Sequence, residues 1–75
     1  MVSEVDKYVA QQVKERRIQK GLSQSQLAFE LNLPTSFVGM IESGRHGKKY
    51  NVTHINEIAK VLECSPREFL PEVAL

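Results

Sequence analysis

The side chains that could do metal or nucleophilic chemistry in this sequence are few. His46 and His54 lie eight residues apart, and the lone cysteine, Cys64, follows ten residues later. That spacing matches no zinc-ligand pattern. No Ser or Cys nucleophile constellation accompanies either histidine, and the chain has neither a glycine-rich phosphate loop nor paired carboxylates in a cleft. Both histidines are therefore expected at the surface, with no metal site, no cofactor and no enzymatic activity. What remains is recognition chemistry, and it concentrates in residues 24–43, QSQLAFELNLPTSFVGMIES. There Ser36, Gly39, Met40 and Ser43 share one helical face, with Thr35 at its edge, and none of them is charged. A solvated helix face usually carries charge. Hydroxyls, a glycine and a flexible thioether can instead approach another surface closely. The base edges of a DNA major groove are one such surface; a partner protein or plain solvent are the others. Gln24 falls in the first turn of a helix, where free N–H groups could hold an anion such as a DNA phosphate.

The elements that must position these residues follow from periodicity and punctuation. Leu27, Ala28 and Leu31 mark one face of a short helix, and Val38 and Ile41 mark a second. Asn32 tolerates the left-handed conformation that ends a helix, and Pro34 suits a helix start. Two helices joined this tightly need a small residue where they cross, which Ala28 supplies, so the stretch has the form of a helix-turn-helix. Upstream, Val5, Val9 and Val13 recur every fourth residue along a helix expected from about Val5 to Lys20, capped by Gly21. The next position on that stripe is Arg17, and the stripe through Val38 continues to Glu42. An unpaired buried charge is costly, so the two are expected to meet as an ion pair. Lys14, Arg16 and Lys20 lie off the stripe and can face solvent or phosphate. Ser23 and Gln26 form a capping box for the second helix. After Gly44 comes an exposed basic loop, Arg45-His46-Gly47-Lys48-Lys49-Tyr50, suited to backbone phosphates. Asn51 caps a fourth helix with the apolar stripe Val52, Ile55, Ile58, Ala59 and Leu62. Ser65-Pro66-Arg67-Glu68 forms a further capping box for a one-turn helix through Phe69 and Leu70 that closes the core.

Seventy-five residues allow one small domain, spanning 1–75, and no large catalytic cleft. Helix formers dominate and no alternating strand pattern appears, so the expected class is all-α. A single cysteine permits no internal disulfide and fits a reducing cytoplasmic setting. No apolar run approaches membrane-spanning length, and the N-terminus lacks the basic-then-apolar order of a signal peptide. The net charge of +1 is uneven: residues 14–49 carry seven basic against three acidic groups, and residues 50–75 carry two against four. The basic excess surrounds the helix-turn-helix.

With these residues in place, the chain resembles the XRE/Cro (lambda-repressor-like) helix-turn-helix family. The matching residues are Arg17, Gly21-Leu22-Ser23-Gln24, Leu27-Ala28, Leu31, Val38, Ile41-Glu42-Ser43-Gly44, Ile58-Ala59, Leu62 and Ser65. The resemblance implies a compact five-helix domain whose third helix enters the major groove, with Arg17 and Glu42 paired. It places base contacts at Thr35, Ser36, Gly39 and Met40. It places phosphate contacts at Gln24, Ser43 and Arg45, with Lys48 and Lys49 in the adjoining loop. The sequence departs from the family pattern in three ways. Asn32 stands where glycine is frequent, Pro34 stands where a Ser or Thr cap is usual, and the loop from Gly44 to Asn51 is longer. The face also lacks the Gln and Arg residues that make bidentate base contacts, leaving hydroxyls, Met40 against a thymine methyl, and DNA shape. The implied function is sequence-specific binding of double-stranded DNA by a transcriptional regulator, expected to be a cytoplasmic, nucleoid-associated repressor of bacterial or phage origin. One such module reads few base pairs, so a homodimer on palindromic operators is expected, with Phe69, Val73 and Leu75 as dimerisation candidates. The alternative is an antitoxin-like module that uses the same fold to bind a toxin-like protein partner.

Overall fold

The computed structural model describes residues 2–75, and among these the regular structure is entirely helical. Four α-helices run Glu4–Gln19 (α1), Gln24–Glu30 (α2), Phe37–Ser43 (α3) and Val52–Leu62 (α4), followed by a 3₁₀ turn at Pro66–Phe69. The helix starts are set by side-chain caps. Ser3, Ser23 and Asn51 each accept the backbone N–H three residues on, and Asp6, Gln26 and His54 return a bond to the cap. The Ser3–Asp6 box begins α1 one residue before the position expected from the valine stripe. None of the described helices is long and apolar enough to cross a membrane.

Three helices stop in the same way. Leu22 N–H reaches Arg17 C=O, Leu33 reaches Ala28 and Cys64 reaches Ala59, at 2.9–3.1 Å. Each closes a Schellman motif around a left-handed residue: Gly21, Asn32 (φ 59°) and Glu63 (φ 57°). Asn32 is thus the hinge of the helix-turn-helix, as its position suggested. Glu63 carried no such signal.

The core gathers Val9 and Val13 from α1, Leu27 and Ala28 from α2, Val38 and Ile41 from α3, four α4 residues, Tyr50 and Phe69. Ala28 is fully buried, and its small side chain lets α2 lie close against its neighbours. Several expectations need correction. Val5 and Val52, each in the first turn of its helix, are exposed rather than buried. α3 begins at Phe37 rather than at Pro34. Pro34 instead accepts the Phe37 N–H in a preceding turn, and Ser36 stands at the N-cap without a side-chain bond. Ser65 accepts the N–H of Arg67, but Glu68 does not close a box with it and reaches across to Arg16 at 2.6 Å. Leu70 lies outside the 3₁₀ turn and is half-exposed. Phe69 is fully buried and so is a core residue rather than a dimerisation residue.

Candidate nucleic-acid interface

The uncharged face lies on the outer side of α3 and the turn before it. Thr35, Ser36 and Ser43 are exposed, and Gly39 and Met40 are half-buried. On the opposite side Val38 and Ile41 are locked in the core, so the helix cannot roll without emptying it. The Ser43 hydroxyl donates to Met40 C=O at 2.8 Å and accepts the Arg45 N–H at 3.3 Å, fixing the chain as it leaves α3 at Gly44.

Beneath this face runs a polar network that joins three helices. Arg17 Nε and Nη2 each donate at 2.9 Å to a different oxygen of Glu42, and Nη1 donates to Leu22 C=O at 2.8 Å. Gln24 Nε2 donates to Glu42 Oε1 at 2.9 Å. The two charged side chains are 9% and 3% exposed, so the pair is desolvated and each partner is satisfied within the protein. Gln24 is therefore already engaged by one amide hydrogen, and only the other remains to donate outward.

Next to this network three rings pack together. Phe37, at the start of α3, lies 5.2 Å from His54 and 6.3 Å from Tyr50, centroid to centroid. Tyr50 was expected in an exposed loop but is buried, and its hydroxyl has no hydrogen-bond partner among the described residues. Burial raises the phenol well above its ordinary range, and the Glu42 carboxylate adds to the effect. The overlooked signal was its place just before the Asn51 cap, where an apolar residue staples against the fourth helical position, here the buried Ile55. His54 is likewise no free surface group. Its Nδ1 accepts the Asn51 N–H at 3.0 Å, and desolvation lowers its pKa below 6.5.

The cations sort into two sets. Lys20 pairs with Glu63, Arg16 with Glu68 and Arg17 with Glu42, and Lys49 Nζ stands 3.7 Å from Asp6. Arg45 and Lys48, in the loop after α3, are exposed and have no carboxylate partner among the described residues. The unneutralised charge closest in sequence to α3 therefore comes from that loop rather than from the whole basic segment.

The sequence profile of the helix-turn-helix family matches residues 13–69. Among solved structures, the chain is similar to the restriction-modification controller protein C.AhdI from Aeromonas hydrophila: 35% identity, TM-score 0.75, covering 92% of this chain and 100% of that one. A point mutant of the controller protein C.Esp1396I is 32% identical with TM-score 0.76, over 92% of this chain and 85% of that one. The fold also matches part of a larger protein, hydroxypropylphosphonic acid epoxidase from S. wedmorenis. The identity there is 28% and the TM-score 0.77, over 92% of this chain but only 36% of the epoxidase. No curated protein sequence matches the chain.

Proposed function

The chain belongs to the XRE-type helix-turn-helix family of DNA-binding transcription regulators, and we propose that it acts as a sequence-specific repressor, binding palindromic operators in double-stranded DNA as a homodimer. The observation that carries this reading is the uncharged outer face of α3, braced from behind by the core and by the Arg17–Glu42–Gln24 network. In this reading α3 lies in the major groove. Thr35 and Ser36 offer hydroxyls to base edges and Met40 meets a thymine methyl, while at Gly39 the Gln24 carboxamide occupies the space a side chain would take. Arg45 and Lys48, Ser43, and the second amide hydrogen of Gln24 meet backbone phosphates, which set register without reading sequence, and Lys49 joins them only by leaving Asp6. Val73 and Leu75, exposed in the tail, together with Leu70, supply the dimer contact. The protein acts as a binding module rather than an enzyme, on chromosomal or phage DNA in a bacterial cytoplasm.

Similarity to two restriction-modification controller proteins supports the regulatory part of this reading. Selection of bound sequences from a random duplex pool tests it. A palindromic consensus is the expected result. Recovery of a non-palindromic half-site would remove the homodimer from the proposal, and recovery of no consensus would remove sequence-specific binding.

A further inference from the structure

Of the four glycines, Gly21, Gly44 and Gly47 have left-handed backbone torsions, but Gly39 does not. Its backbone would accept any residue, and glycine in a helix interior destabilises it relative to alanine. Something other than the backbone keeps a side chain out. A Cβ built on Gly39 would lie 3.0 Å from Gln24 Oε1, tight enough that the carboxamide must give by a few tenths of an ångström, and at an ordinary contact distance of 3.6 Å from Gln24 Cδ. The space over Gly39 is occupied by the Gln24 carboxamide. The other end of that carboxamide donates from Nε2 to Glu42 Oε1, one helical turn further along α3. Gln24 thus touches α3 at two points, one steric and one hydrogen-bonded, from the first residue of α2. Glu42 in turn is held from the far side by Arg17.

We propose that Gln24 is a positioning residue for the DNA-reading face, a strut that sets the angle of α3 on α2, and that Gly39 is the notch it needs. The proposal rests on the DNA-binding reading above. Its consequence is that Gln24 governs discrimination between sequences without touching a base. When the carboxamide is lost, Glu42 keeps Arg17 but loses its tie to α2. When Gly39 gains a methyl, the carboxamide must give by a few tenths of an ångström. Each change lets Thr35, Ser36 and Met40 drift relative to the groove.

The test is a double-mutant cycle on the full chain with Gln24→Ala, Gly39→Ala and the two combined, read by thermal unfolding and by titration with the selected operator and with unrelated duplex. Gly39→Ala is expected to raise Tm less in the wild-type background, where the carboxamide must give way, than in the Gln24→Ala background, where the notch is empty. The operator-to-unrelated affinity ratio is expected to fall about three- to thirtyfold in Gln24→Ala, inside the span of about two- to 150-fold that coupling between touching side chains covers. If Gly39→Ala raises Tm equally in both backgrounds, the strut does not exist. If Gln24→Ala weakens both duplexes equally, Gln24 is a phosphate contact alone. If the wild type selects no DNA sequence, the underlying reading fails and the proposal fails with it, whatever the Tm cycle shows.

Discussion

Arg17 and Glu42, 25 residues apart in sequence, meet as a two-pronged fork in which Nε and Nη2 each donate at 2.9 Å to separate carboxylate oxygens. With both side chains nearly out of water, neither has an alternative partner for its charge. Glu42→Ala should therefore cost about 3–5 kcal/mol, the range for stranding one member of a buried pair. Denaturant unfolding measures it. A loss below about 1 kcal/mol would be the behaviour of an exposed pair.

Tyr50 invites the opposite experiment. Its hydroxyl is buried without a partner among the described residues, and an unmade buried hydrogen bond costs on the order of 1–3 kcal/mol. Tyr50→Phe keeps the ring against Phe37 and His54 and removes only the oxygen. It should leave stability unchanged or raise it by up to about 1 kcal/mol. A loss of that size in urea unfolding would mean that the hydroxyl is hydrogen-bonded in solution.

His54 makes stability depend on pH. Desolvation lowers its folded pKa below the 6.5 of the unfolded chain, so the unfolded state binds more protons in that window. Stability is then complete above 6.5 and declines as pH falls below it, levelling off once the folded state also protonates. Protonated Nδ1 can no longer accept the Asn51 N–H, so the return bond of the α4 capping box is lost while Asn51 Oδ1 still accepts the His54 N–H. Unfolding measured from about pH 7.5 to about pH 5 should show a decline that His54→Gln diminishes. An identical decline in the variant would assign it to other groups.

The pairing of the cations predicts which of them bind DNA. Arg45→Ala should weaken binding to all duplexes and reduce the salt slope by about one. Lys20→Ala and Arg16→Ala should leave the slope unchanged, since Glu63 and Glu68 already hold those charges. Binding isotherms across a salt series separate the two outcomes.

Met40 tests readout. Met40→Ala should relax preference at one base pair, one containing thymine, by about 1 kcal/mol, at the lower end of the range of a bidentate contact. Competition titrations against single-base operator variants measure this. Unchanged preference at every position would take Met40 out of the interface.

Most of what the sequence determined by itself depends on near neighbours. Capping boxes span three residues, the Asn32 turn closes within six, and the apolar stripes repeat every turn, so the helices and the helix-turn-helix were legible from residue types and spacing. Even the Arg17–Glu42 relationship left a local trace, because each charge interrupts an apolar stripe. The tertiary structure alone decided where each stripe runs out of partners, exposing Val5 and Val52 while burying Tyr50. It also decided which charges are cancelled. Arg16 meets Glu68 across 52 residues and Lys20 meets Glu63 across 43, so the basic excess counted along the chain overstates the charge available to DNA. The seating of Gln24 over Gly39 belongs to the same class. No periodicity encodes it, because it arises only when the first residue of one helix is brought against the middle of the next.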